Sequence, residues 1–304
     1  MKKHNSVFSV LICFILLFTV WSGFISCKSV PTGNNVDPLN LLDGDSDFYI
    51  AIPKSADPQL FDTLIKKNIP GVSQKDLKRI SQRTSKVYVG ILNSISGSYI
   101  QAAAEGDIPV NYIPCLLTKR KGWFIRDSIS LQPNSAFVHK IYNSNNIDLS
   151  FPSSNIVCIG RNVDFMLDKY NSLAFSDILD GVSFKANYSE LPDDLFYFLK
   201  GAEEDIRFYS KETKNFLENL TGQKLDLKLI DIQGIFSLDE NNLDIYNLNM
   251  ILNFQSKKFL KAGRALIRMA FGLSSSDVVA LSDNVLEIKK LQIKKEQLYK
   301  ILAL

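Results

Sequence analysis

The segment "NLDIYNLNMILNF" (242–254) alternates with a period of two. Tyr246, Leu248, Met250, Leu252 and Phe254 fall on one side, and Asn247, Asn249 and Asn253 on the other. Side chains of a strand point alternately to opposite faces, so the pattern predicts a half-buried strand with one wet face. "LKLIDIQGIFSL" (227–238) reads as its hairpin partner, and "VLEIKKLQI" (285–293) as a further strand. Between them, "SKKFLKAGRALIRMAFGL" (256–273) changes period and predicts a helix over 257–272.

The same succession occurs earlier in the chain. "DFYIAIPKSADPQLFDTLIKK" from Asp47 and "GVSFKANYSELPDDLFYFLKG" from Gly181 each run strand, polar turn, Pro, helix start. Pro58 and Pro192 suit a first helical turn, where no backbone donor is needed. "KVYVGIL" (86–92) and "SYIQAAAE" (98–105) match the later hairpin, 109–120 matches the helix 257–272, and "NIVCIG" (155–160) matches the strand at 285–293. Each half closes with a helix, "VDFMLDKYNSLAF" or "KKEQLYKILAL". The order β-α-β-β-α-β, twice, is that of a split β-α-β unit. The expected fold class is therefore α+β: two tandem ferredoxin-like repeats, 48–180 and 181–304, with antiparallel sheets covered by helices. Residues 122–151 have no counterpart in the second half and read as two or three inserted strands.

In the second half the first helix is expected to run unbroken from about Asp193 to Leu220. Leu195, Leu199, Ala202, Ile206, Tyr209, Thr213, Phe216 and Leu220 recur at alternate spacings of four and three. That seam would extend ~40 Å at ~1.5 Å per residue. It either packs along both domains or offers helix 193–220 to a protein partner or a second copy.

The N-terminus has a different character. Lys2, Lys3 and His4 precede an apolar run from Val7 to Ile25, densest in "VLICFILLFTV" (10–20) and followed by the small residues Ser22, Gly23 and Ser26. Such a run reads either as an uncleaved anchor or as a cleaved export signal. "FISC" (24–27) resembles the lipobox of bacterial lipoproteins, with Phe24 where that family usually has Leu, as in the looser lipoboxes of spirochaete lipoproteins. The resemblance implies a signal peptide over 1–26 and a lipidated Cys27 as mature N-terminus. It implies a protein held in the cell envelope by its lipid without spanning the membrane. Lys28 is not the aspartate associated with inner-membrane retention, which favours the outer membrane. Residues 27–47 are rich in Asn, Asp, Gly and Pro and read as a flexible tether. "DGDSD" (43–47) departs from a calcium loop at Phe48 and Lys54, where the turn glycine and the bidentate glutamate belong.

Of 304 residues, 278 remain after removal of the signal, and the formal charge falls from +3 to +1 with the loss of Lys2 and Lys3. Such a balance is no footprint for nucleic acid. Cys115 and Cys158 remain in an exported chain, where a disulfide is permitted, yet both sit in apolar contexts that suit buried free thiols. His139 is the histidine left after processing, which argues against histidine-rich zinc sites and serine triads. No GxGxxG, GxxxxGK[ST] or GxSxG occurs. No cofactor and no catalytic residues are expected, and the protein reads as a non-enzymatic envelope component with a binding or assembly role; the alternative is a membrane-active or lipid-handling lipoprotein using basic amphipathic helices, and an envelope hydrolase is the reading with least support. One cationic feature stands out. Lys257, Lys261, Arg264 and Arg268 form a stripe on the helix 257–272, with Phe259, Leu260, Leu266, Ile267, Ala270 and Phe271 on the other side. The corresponding place in the first half carries Lys119, Arg120, Lys121 and Arg126 beside Trp123 and Phe124. Basic stripes with aromatics suit an anionic membrane surface, and they also suit the solvated side of a sheet-covering helix.

Overall fold

The alternation at 245–254 is realised as a strand whose residues are in turn half-buried and buried along its whole length. In the computed structural model the described residues are 34–68, 73–94, 97–129, 137–144, 147–161, 163–176 and 190–301. From Val36 onward they belong to one compact body. The strands are β1 (Phe48–Pro53), β2 (Thr84–Ser94), β3 (Gly97–Gly106), β4 (Phe124–Asp127), β5 (Lys140–Ser144), β6 (Ile147–Ser153), β7 (Ile156–Gly160), β8 (Ile206–Ser210), β9 (Leu229–Leu238), β10 (Ile245–Phe254), β11 (Val278–Ala280) and β12 (Val285–Lys294). The helices are α1 (Pro58–Asn68), α2 (Gln74–Arg83), α3 (Ile113–Leu116), α4 (Val163–Ala174), α5 (Asp193–Lys200), α6 (Thr213–Thr221), α7 (Lys257–Phe271) and α8 (Lys295–Ile301).

Among the described residues the twelve strands join in one sheet, in the order β11-β12-β10-β9-β8-β1-β2-β3-β7-β6-β5-β4. Every neighbouring pair is antiparallel. This corrects the expectation of two ferredoxin-like sheets. In a split β-α-β unit a strand lies between two parallel ones, whereas here β1-β2-β3 and β8-β9-β10 lie side by side in chain order. The seam between the halves is the β1–β8 pairing, Phe48 opposite Ser210 through Ala51 opposite Arg207. The strand expected from Gly181 lies outside the described residues.

β1 is buried at all six positions because the sheet is covered on both faces there. On the first face Phe48, Ile50 and Ile52 join Phe208, Phe236, Tyr246 and Phe254 under Leu60 and Phe61 of α1, Phe216 of α6, Ile267 of α7 and Leu298 of α8. On the second face Tyr49, Ala51, Tyr88, Ala103 and Cys158 lie under Leu39, Leu41, Leu42, Met166 of α4, and Leu195 and Leu199 of α5. A third cluster, Ile108, Ile113, Trp123, Tyr142 and Leu149, closes the β4 end of the sheet.

Three further expectations are corrected. The long helix over 193–220 is instead α5, then β8, then α6. Ile206, Phe208 and Ser210 alternate inward, so period two displaces the heptad-like seam once β1 and β9 are there to pair with. No continuous helical face remains there for a partner. The second helix of the first half, 109–120, is reduced to α3 between two short 3-10 turns. The tether ends sooner than expected. Val36, Leu39, Leu41 and Leu42 are buried on the sheet, Asp37 caps the turn 38–41, and Lys169 Nζ donates to the Leu42 carbonyl at 2.6 Å. Leucines spaced within a polar context were enough to bury this strap. Residues 122–151 carry β4, β5 and most of β6. Cys115 is exposed, Cys158 is buried, and both are free thiols.

Candidate functional site

α7 lies across β10 and β12 because of a close approach. A Cβ on Gly263 would clash with the Phe254 ring, so only glycine lets the helix axis sit this near the strand. Leu260, Gly263 and Ile267 form the inner face. The outer face carries Lys258, Lys261, Ala262, Ala265, Leu266 and Met269. Leu266 is 45 % and Met269 78 % exposed, beside the two lysines. The expected placement of Leu266 on the buried side is therefore corrected; Met269 is an outward apolar residue that the cationic reading passed over. Gly263 was the available signal, since it marks the line of contact and hence the direction opposite to it.

The four residues of the basic stripe have different roles. Lys257 pairs with Asp283 at 2.8 Å. Lys261 is exposed. Arg264 turns inward and donates to the Val278 carbonyl at 2.7 Å, holding β11 against the helix. Arg268 is half-buried, with its Nε enclosed and without an acceptor among the described residues. The first-half cluster divides similarly. Lys119, Arg120 and Lys121 are exposed on a 3-10 turn and Phe124 is 66 % exposed. Trp123 is buried at 2 % in the third cluster, which corrects its assignment as a surface contact. Arg126 is held between Asp148 (2.7 Å) and Asp164 (2.8 Å), fastening β4 to the first turn of α4. The two clusters lie at opposite ends of the sheet and form no joint patch. Cys27 lies outside the described residues.

His139 is half-buried and its Nε2 donates to Asn171 Oδ1 at 2.8 Å. Burial lowers its pKa, against smaller opposing effects of Asn171 and Asp168, so it is held neutral. Among the described residues no three His, Cys, Asp or Glu side chains are grouped to hold a metal. The acidic Glu203, Glu204 and Asp205 occupy the turn between α5 and β8. Among the described residues no helix is long and apolar enough to cross a membrane.

A concavity lies on the second face, where the cover ends at α5. Beyond Phe198 the outward side chains of β9, β10 and β12 are uncovered and line a trough of about 400 Å³. Its floor is Ile235 and Ile251, with Gln233 and Asn249 beside them and Glu287 and Lys290 at the far wall. The far wall is a β-bulge, in which Lys289 and Lys290 together oppose Asn249. Lys290 adopts a left-handed backbone, φ 52°, and its N–H donates to Asn249 Oδ1 at 2.8 Å. The bulge depends on register between strands some 40 residues apart, and nothing in the local sequence announces it.

An antiparallel sheet covered by helices on both faces defines a protein of the α+β class. Residues 33–299 match the family described as "Outer membrane-associated lipoprotein TP0453", and the chain belongs to that family. It is accordingly a lipid-anchored envelope protein, associated with the outer membrane. The fold is similar to that of TP0453 itself. Crystal form I superposes with a TM-score of 0.65 at 18 % identity over 88 % of this chain and 97 % of that one. Crystal form III gives 0.63 at 19 % over 88 % and 98 %, and crystal form IV 0.61 at 19 % over 89 % and 98 %. No curated protein matches the chain.

Proposed function

We propose that the folded body acts without catalysis and docks on the membrane that carries its lipid, with the outer face of α7 as the contact. The observation that carries this reading is the pair Leu266 and Met269, exposed on the same outer face as Lys258 and Lys261 and C-terminal to them, on a helix whose opposite side is already used against the sheet. A helix face that carries both apolar side chains and lysines lies in a membrane interface with its cations at anionic headgroups. Chain length supports it. Eight residues, 28–35, separate Cys27 from Val36, and the nine steps between the two reach at most ~32 Å at ~3.6 Å per residue. A body leashed so closely meets the bilayer constantly, and a weak docking face then suffices.

The test is vesicle co-sedimentation of a form lacking residues 1–27. The unsubstituted form binds vesicles containing anionic phospholipid, and binding weakens with salt. Leu266→Ser with Met269→Ser abolishes most of it. Lys258→Gln with Lys261→Gln weakens it by about 2 kcal/mol at ~1 kcal/mol per lysine. Arg264 is left in place, since its bond to Val278 belongs to the fold. Binding indifferent to both pairs of substitutions would return α7 to the role of a sheet cover with a wet outer side.

A further inference from the structure

The trough on β9, β10 and β12 lies on the face opposite α7, so it points away from the membrane when α7 docks. Its outward residues alternate with Ile232, Phe236, Leu248, Met250 and Leu252 of the first-face core. Three features converge in it. The space, about 400 Å³, corresponds to roughly a dozen waters at ~30 Å³ each, and thus to a ligand of about a dozen non-hydrogen atoms. The bulge places a lysine in a backbone region that lysine avoids, and local strain of this kind gathers at binding sites. The polar groups around the floor are incompletely used. Asn249 spends its oxygen on Lys290 N–H, which leaves its Nδ2 donor without a partner among the described residues. Gln233 has no side-chain hydrogen bond among them. Glu287 gives one oxygen to Lys289 at 3.1 Å and keeps the other. Lys290 has no acidic partner among the described residues.

These groups specify a ligand by elimination. A simple phosphate would leave the isoleucine floor unused. A fatty acid would cover the floor and leave Gln233, Asn249 and Glu287 without polar partners, at the cost of desolvating them. A neutral sugar would leave Lys290 unmatched. We propose that the trough binds an apolar amino-acid residue that carries a free carboxylate and an acylated nitrogen. The carboxylate meets Lys290, the acyl carbonyl accepts from Asn249 or Gln233, the amide N–H donates to the free oxygen of Glu287, and the side chain lies on Ile235 and Ile251 against Phe198. Both an N-acyl amino acid and the C-terminal residue of a peptide have this chemistry. The inference stands independently of membrane docking by α7.

The experiment is saturation-transfer NMR on the lipidated protein in nanodiscs, with empty nanodiscs as the blank and N-acetyl-L-leucine as the probe. The expected result is saturable transfer, strongest on the isobutyl methyls. The uncharged N-acetyl-leucine amide binds at least tenfold more weakly. Lys290→Gly, in which glycine accepts the left-handed backbone and the fold is retained, also loses at least tenfold, with an unchanged melting temperature as the check. A tetrapeptide ending in leucine that binds as tightly as the probe identifies a peptide C-terminus as the source; weaker binding of the peptide identifies the free acyl amino acid. No saturable transfer, equal binding of acid and amide, or full binding by Lys290→Gly would overturn the proposal.

Discussion

Lys295 Nζ lies 2.7 Å from Asp57 Oδ2, with the two side chains only 10 % and 2 % exposed. The Tyr246 hydroxyl donates to the same carboxylate oxygen. The other oxygen, Oδ1, accepts from the backbone N–H of Gln59 (2.9 Å) and Leu60 (3.0 Å), capping α1. One carboxylate thus fastens the start of α1 to β10 and to the start of α8. Burial, with the bond to Asp57, pushes the Tyr246 hydroxyl far above its usual range, so it remains a donor at every physiological pH.

Removing one partner of such a pair leaves a buried charge alone, which costs about 3–5 kcal/mol. Asp57→Ala also removes the cap, so it is expected at the upper end of that range in urea unfolding. Asp57→Asn keeps a capping side chain and loses nearly as much. Asp57→Asn with Lys295→Met recovers most of the loss, because neither charge is then buried unpaired. A cost below about 1 kcal/mol for Asp57→Ala would mean that water reaches the site.

Gly263→Ala sets a methyl group against the Phe254 ring and forces α7 off the sheet. Overpacking of this kind costs about 1–3 kcal/mol. Adding Phe254→Leu relieves part of it, and the non-additivity measured in a double-mutant cycle is the diagnostic.

His139 gives the stability a pH dependence. Its folded pKa lies below the ordinary value of ~6.5 because burial disfavours the imidazolium. Above that value the ring is neutral in both states and the full stability is present. As pH falls through the unfolded pKa, the unfolded chain gains a proton that the fold refuses, and stability drops until the folded pKa is passed. His139→Gln replaces the titrating ring with an amide that can still bond Asn171. Melting temperatures at pH 7 and pH 5 should differ less in this variant than in the unsubstituted protein; an equal drop would place the acid sensitivity elsewhere.

Cys27→Ala is expected to accumulate unprocessed precursor and to take up no labelled fatty acid. Equal labelling of this variant would show that the "FISC" sequence is not the lipidation site.

Some of this architecture was legible from periodicity. β10 and α7 were read to within a few residues, because ten alternating positions or four turns of amphipathic helix leave little ambiguity. β8 was not. Its five residues fit a heptad seam as well as an alternation, and only pairing with β1 and β9 decides between them. The strap at 36–42 looked like linker because its leucines are outnumbered by Asn, Asp and Pro. For the sites, sequence identified Lys261 and Phe124 as exposed and misjudged Trp123 and Leu266, which depend on which side of each element meets the core. The trough is a property of strand register and of where α5 stops, and no single segment encodes it.

The β1–β8 seam also has a history in time. β1 emerges about 155 residues before its partner, a delay of roughly 8–30 s at ~5–20 residues per second. The finished sheet ends in strands of three and four residues, β11 and β4, which offer little to a stray strand. A nascent or partly exported chain has no such protection, for it presents "FYIAIP", apolar on both faces, with one edge open. Until β8 arrives, that segment is the part of the chain with most to lose from a stray pairing.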